Sequence, residues 1–270
     1  MDTKPIGIFD SGVGGMTVLA QIKKHLPNED LVYLGDTKNF PYGDKSRETI
    51  VKLATKCTSF LISQNVKIII IACGTATSQA LNELKTIYRL PIKGIIRPTI
   101  QEIKKKSTKE KLKIGVIATE GTIKSNKWAE ELTNEIENVE VISKACPLLA
   151  PMAEQGWTNN SVAKEAIKEY MKPFINQKID KLILGCTHYP LFEELIKNEL
   201  ENDVEIINTG EKVANDLQEY LHTNGLENSK QHKGESRYYL TDTECNFIQV
   251  AGRLLQDKTL KNKIEKINIE

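Results

Sequence analysis

At 270 residues the chain has room for one large domain or two modest ones, and 40% hydrophobic with 27% charged residues excludes a disordered, collagen-like or disulfide-stapled chain. Lys plus Arg number 37 against 36 Asp plus Glu, a formal charge of +1. No global field holds nucleic-acid phosphates or an anionic membrane, so any anionic ligand is bound locally.

The N-terminal MDTKPIGIFDSG lacks a basic n-region, an apolar h-region and a cleavage site, and the longest apolar run, Ile68 to Cys73, is far too short to span a bilayer. A protein that acts whole in the cytoplasm is expected. Short aliphatic runs then alternate with helix-period segments, the sequence form of a parallel sheet with crossover helices. Strands are predicted at 6–9, 31–34, 67–72, 93–96, 113–118, 139–143, 181–184, 204–207 and 237–240. Helices are predicted over 45–63, 125–137, 161–175, 211–221 and 247–255, with another beginning near Thr17. The fold class is α/β throughout. Boundaries fall near Arg97 and Pro98, and near Asn208 to Gly210; the intervening EIKKKSTKEK run reads as a solvated helix face.

In an open parallel sheet ligands bind beyond the carboxyl ends of the strands. Asp10, Asp36, Cys73 and Cys186 hold such places. KIIIIACGTATSQAL and KLILGCTHYPLFEEL echo one another: a Lys, an aliphatic run, a small residue, a Cys, a Thr within two residues, then a helix. The echo implies two similar half-molecules related by pseudo-symmetry, each with one thiol. A strand-end Cys that opens a helix sits where the dipole and free N–H groups favour thiolate over thiol. One alone would read as core; two in matching settings point to chemistry.

The other cysteines, Cys57, Cys146 and Cys245, read as structural, and five single thiols with no CxxC pair argue for a reducing compartment and against a zinc site. His188, two residues after Cys186, can orient or deprotonate that thiol, or protonate a leaving group. His25, His222 and His232 read as surface residues without partners. In FDSGVGGMT a Gly-rich turn follows Asp10, but neither GxGxxG nor GxxxxGK[ST] is complete, so the glycines are read as letting backbone approach a small ligand. PYGDKS, residues 41–46, is a loop offering Asp44 or Ser46 as a helix N-cap. Glu154 is a lone carboxylate in the apolar stretch CPLLAPMAEQGW, a setting suited to proton transfer.

Together IGIFDSGVGGMTVL, LGDTKNFPYGDKS, IACGTATS and LGCTHYPL resemble, in order and over essentially the whole chain, the bacterial glutamate racemases of the aspartate/glutamate racemase family. The resemblance implies interconversion of L- and D-glutamate without cofactor or metal, supplying D-glutamate for peptidoglycan. It implies that Cys73 and Cys186 are acid/base thiols on opposite faces of the α-carbon, with Asp10 assisting Cys73, His188 assisting Cys186, and Glu154 supporting the second side. Substrate contacts are implied at Asp10, Ser11, Tyr42, Gly43, Gly74, Thr75, Thr187 and His188. The implied fold is two similar, doubly wound, mainly parallel-sheet domains facing across a cleft, the first being residues 1–97 plus 209–270 and the second 98–208. The expected partner is glutamate in a homodimeric enzyme, with no membrane and no direct nucleic acid.

One position departs. The family motif Cys-Asn-Thr is Cys73-Gly74-Thr75 here. A lost charge-assisted hydrogen bond is worth about 1.5–3 kcal/mol, so Gly74→Asn is expected to restore head-group binding. Three other readings stay open: a racemase of a related acidic amino acid such as aspartate; a thiol hydrolase or transferase with Cys186 and His188 as nucleophile and base; and a binding module without catalysis. Uptake of solvent deuterium at the α-carbon separates racemisation from the last two.

Overall fold

The structure is a computed structural model that describes residues 2–106, 111–200, 203–228, 233–243 and 246–269. The chain runs β1 (Ile6–Asp10), α1 (Gly15–His25), β2 (Leu31–Gly35), α2 (Arg47–Ser63), β3 (Ile68–Ile71), α3 (Gly74–Ile87) and β4 (Ile92–Gly94). It continues through α4 (Ile96–Lys106), β5 (Leu112–Ala118), α5 (Glu120–Lys124), α6 (Lys127–Glu135), β6 (Val139–Ala145), α7 (Leu149–Glu154), α8 (Ser161–Gln177), β7 (Lys181–Leu184), α9 (Glu193–Glu199) and β8 (Glu205–Asn208). Then come α10 (Thr209–Thr223), β9 (Ser236–Leu240), α11 (Phe247–Leu254) and β10 (Ile264–Lys266). Among the described residues the strands form two all-parallel sheets, ordered β10-β9-β2-β1-β3-β4 and β6-β5-β7-β8.

Local chemistry explains these elements. The four consecutive isoleucines of β3 are buried throughout, the pattern of an interior parallel strand with both faces covered. Alternate residues serve opposite faces: Ile6, Ile8, Ile68 and Ile70 join one apolar cluster with α1 and α10, while Phe9, Ile69 and Ile71 join another with α2 and α3. In the second sheet Leu182 and Leu184 pack with Ile167, Met171 and Phe174 of α8. Ser46 Oγ accepts the Thr49 N–H at 3.3 Å and Asn160 Oδ1 that of Ala163 at 2.8 Å, starting α2 and α8 by satisfying donors that a first turn leaves over.

All nine predicted strands are present, displaced by at most two residues at an end. β10 is the addition. Its sequence, IEK, carries no apolar alternation; it is a strand because it pairs with β9, Ile264 opposite Tyr238. Pro98 falls in the first turn of α4, where its missing N–H costs no hydrogen bond, so the chain crosses between sheets along a helix rather than a linker. Asn208 both ends β8 and caps α10, accepting the Gly210 N–H at 3.0 Å. Part of the lysine-rich run, residues 107–110, lies outside the described residues. Among the described residues no helix is long and apolar enough to cross a membrane.

Candidate active site

The carboxyl ends of β1 and β3 meet those of β5 and β7 across a seam, and the two thiols stand on either side of it. Cys73 caps α3: its Sγ accepts the Ala76 N–H at 3.5 Å and donates to Ser11 Oγ at 3.8 Å. Burial, and next the charge of Asp10, pushes this thiol up to about 12. The expected anionic preference of a helix N-terminus is therefore overridden at Cys73, because desolvation outweighs one hydrogen bond and the dipole.

Asp10 is fully buried at the tip of β1. Its Oδ1 accepts the Gly12 N–H at 2.9 Å and its Oδ2 the Thr187 hydroxyl at 3.1 Å, across the seam. Burial raises its carboxyl above the ordinary range, against the pull of the His188 charge and these two bonds.

Cys186 is set differently. It does not open an α-helix: β7 stops at Leu184, and a 3-10 turn over Tyr189–Phe192 precedes α9. Tyr189, before Pro190, is biased away from helical backbone, which delays the helix. Cys186 Sγ lies 3.7 Å from His188 Nδ1, and His188 Nε2 lies 2.7 Å from Glu154 Oε1, which also accepts the Val13 N–H at 2.7 Å. Burial alone would lower the His188 pKa, but hydrogen bonds to Cys186 and Glu154, with their charges, hold it well above 6.5. The short contact to Glu154 places a hydrogen on Nε2, so the Gly14 N–H, 3.2 Å from that nitrogen, meets no free lone pair. Glu154, a lone carboxylate in the sequence, is thus joined to Cys186 through an imidazole.

The glycines of the turn after β1 admit these side chains rather than a ligand. A Cβ at Gly14 would lie 2.5 Å from His188 Nδ1, and one at Gly12 would overlap Glu154 Oε1. Thr17 does not start α1, which begins at Gly15; its hydroxyl donates to the carbonyls of Gly14 and Thr187 at 2.8 and 2.9 Å.

Thr75 brings in residues that sequence reasoning missed. Its Oγ1 is 2.9 Å from Thr119 Oγ1 and 3.3 Å from Thr122 Oγ1, and Gln79 Nε2 donates to the Gly121 carbonyl at 3.0 Å. Thr119 follows directly on β5, so the strand-end rule that selected Asp10 also selects it. Gly43 accepts the Gly121 N–H at 3.0 Å, which brings the 41–46 loop to the same seam. Tyr42 points the other way: its hydroxyl donates to Asp36 Oδ2 at 2.6 Å, and Thr241 Oγ1 donates to Asp36 Oδ1 at 2.9 Å. Asp36 therefore ties the loop to the C-terminal segment.

Cys57 and Cys146 are fully buried. Cys245 and His232 lie outside the described residues. His25 and His222 do have partners, the Gln21 carbonyl at 2.8 Å and Glu227 at 3.1 Å. A cleft of about 570 Å³ on the far flank of α3, lined by Lys85, Lys93 and Arg97 among others, contains neither thiol. At Gly74 a Cβ would fall inside the van der Waals envelope of the Gly185 carbonyl oxygen, so Gly74→Asn needs that contact to open for its carboxamide to reach a ligand.

Residues 15–217 match the family model described as Asp/Glu/Hydantoin racemase. The chain belongs to that family. It is 39% identical to the glutamate racemase of Geobacter metallireducens over 96% of this chain and 95% of that one, and 41% identical to that of Aquifex aeolicus over 94% of each. Among solved structures, the Francisella tularensis glutamate racemase in complex with D-glutamate superposes with a TM-score of 0.90 at 36% identity, covering 100% of this chain and 99% of that one. The RacE1 isoform from Bacillus anthracis gives 0.93 at 34% identity, covering 99% and 98%. This member of the Asp/Glu/Hydantoin racemase family shares their two-sheet α/β fold.

Proposed function

We propose that this chain interconverts L- and D-glutamate by passing the α-proton between two thiols, Cys73 and Cys186, on opposite faces of the substrate. The relatives named glutamate racemase and the D-glutamate complex support the substrate. The carrying observation for the mechanism is that both thiols stand at one buried seam, each with its own hydrogen-bond partner. Inverting a carbon requires removing a proton from one face and delivering one to the other. Cys73, held as the thiol by burial, carries the proton for one face, while His188, backed by Glu154, stands next to Cys186 to take or return its proton.

Binding follows from the same elements. The N–H groups of Gly74 and Thr75 in the first turn of α3 have no intrahelical acceptor and, with the hydroxyls of Ser11, Thr75 and Thr187, would hold a carboxylate as charge develops at the α-carbon. Tyr42 and Gly43 would contribute through backbone, since the Tyr42 hydroxyl is spent on Asp36. Sheet membership supports dividing the chain into residues 1–97 plus 209–270 and 98–208, with the site between. The exposed Leu148, Trp157 and Val162 on the second unit offer apolar side chains for a homodimer contact. A cytoplasmic enzyme supplying D-glutamate for cell-wall synthesis fits these readings. The test is to incubate L- or D-glutamate with enzyme in D₂O. Deuterium at the α-carbon together with inversion is expected, and no uptake from either enantiomer would overturn the reading.

A further inference from the structure

Asp36 follows β2 much as Asp10 ends β1, yet its carboxylate is turned away from the thiols. It is fully buried, and three side chains donate to it. Asn39 Nδ2 lies 3.0 and 3.1 Å from its two oxygens, the Tyr42 hydroxyl 2.6 Å from Oδ2 and the Thr241 hydroxyl 2.9 Å from Oδ1. Those contacts fill the acceptor positions of a carboxylate. Thr241 comes directly after β9. Its N–H donates to the Gly35 carbonyl at 3.1 Å, its Oγ1 accepts the Lys38 N–H at 3.0 Å, and Thr37 Oγ1 accepts the Asp242 N–H at 2.9 Å. The turn over 36–39 is thus stitched to the end of β9.

Tyr42 carries this tie to the seam. Its ring is buried in the apolar cluster that holds Cys57 and Cys73, and its hydroxyl lies 3.8 Å from Cys57 Sγ. Gly43, next along, is pressed against the other half: a Cβ there would lie 2.8 Å from Thr119 Cβ, and its carbonyl accepts the Gly121 N–H at 3.0 Å. On the reading that the backbone of Tyr42 and Gly43 meets glutamate, we propose that Asp36 is a positioning residue that pins this loop to β9 and so sets substrate affinity without touching substrate. Between Asp36 and Tyr42 the chain has a single 3-10 turn, Thr37–Asn39, too little regular backbone to fix the loop. A buried hydroxyl that loses its acceptor carries the full cost of desolvation, so without Asp36 the Tyr42 side chain is driven toward water and takes Gly43 with it. The thiols keep their own partners, Ser11 and the Ala76 N–H for Cys73 and His188 for Cys186. The loss therefore falls on binding and not on proton transfer.

The experiment makes Asp36→Ala, Tyr42→Phe and the double variant in the full-length protein. Asp36→Ala is expected to raise KM for both glutamate enantiomers about tenfold, the low end for a hydrogen bond to a charged group, with kcat little changed. Tyr42→Phe raises KM less, and the double variant no more than Asp36→Ala alone, because the two changes remove one shared bond. The second readout is neutral alkylation by iodoacetamide, mapped cysteine by cysteine by mass spectrometry. Cys57, beneath Tyr42, and Cys146, in the other half, are both 0% exposed. In Asp36→Ala, faster alkylation of Cys57 with Cys146 still protected is the expected result. An unchanged KM, a loss in kcat instead of KM, additive losses in the double variant, or a Cys57 that stays protected would each overturn the proposal. So would alkylation of Cys146 along with Cys57, which would mean that Asp36 holds the fold rather than the loop. Alkylation does not depend on catalysis. A wild-type protein that fails to racemise glutamate would defeat the functional reading, while Cys57 would still report whether Asp36 pins the loop.

Discussion

Cys73 has a serine hydroxyl at 3.8 Å and a backbone N–H at 3.5 Å, whereas Cys186 has an imidazole at 3.7 Å and, through it, a carboxylate. In sequence the two segments are echoes; in chemistry they are unlike. One thiol is held protonated by burial and by Asp10, and the other is coupled to a histidine that Glu154 helps keep charged. A reaction symmetric about the α-carbon does not need a symmetric site. It needs each side to hold a proton and release it at the right moment, and the two sides reach that condition by different means.

The hardest test of this contrast removes the sulfur atoms. Cys73→Ser and Cys186→Ser are each expected to lower racemisation by about 10³-fold or more, with glutamate affinity changed far less. Polarimetry gives the turnover and calorimetry the binding. Near-wild-type turnover in either variant would break the two-thiol mechanism.

A sharper test asks whether the sides divide the work. His188→Asn removes the imidazole beside Cys186 and is expected to cost about 10²-fold in the direction that uses Cys186 as base. Asp10→Asn is expected to weigh on the Cys73 side, so primary isotope effects in the two directions should move oppositely in the two variants. At equilibrium both directions must still give one constant. Asp10 also bonds to Thr187, next to Cys186, and this contact sets how far the division can go. Matching isotope effects in the two variants would mean that the buried charges act as one network. Glu154→Gln keeps the shape but weakens the bond to His188, for an expected loss of about ten- to hundredfold.

The asymmetry also shows what the sequence could carry. Strand positions were legible because parallel strands buried on both faces are runs such as the four isoleucines of β3. Both thiols, Asp10 and His188 were legible because strand ends and adjacency in sequence are local signals. The join between Glu154 and His188 was not, since it depends on α7 packing against the 3-10 turn after β7, 34 residues on in sequence. β10 was illegible because its strand character resides in Tyr238 and its neighbours rather than in IEK. Gly74 was read by analogy with asparagine, and the missing information was the Gly185 carbonyl, far away in sequence and in contact in the fold.

The smallest effect expected is one of stability, and it has the opposite sign to the loss of activity. Burial raises the folded-state carboxyl of Asp10 above its ordinary value of 3.8. A raised value means that folding favours the protonated form. The stability it contributes is complete below about pH 3.8 and is lost as pH rises through the folded value, so at neutral pH the ionised carboxylate weighs against the fold. Asparagine keeps the geometry without the charge. Its amide oxygen can accept the Gly12 N–H, and its NH₂ can donate to the Thr187 hydroxyl, which turns to accept. Asp10→Asn should therefore melt at a higher temperature than wild type at pH 7. The gain should shrink toward pH 4, where wild-type Asp10 recovers its proton. Scanning calorimetry at the two pH values reads both temperatures. A variant less stable than wild type at pH 7 would show that the Asp10 charge, through its attraction to His188, repays its own burial, and that the carboxylate supports the fold as well as the chemistry.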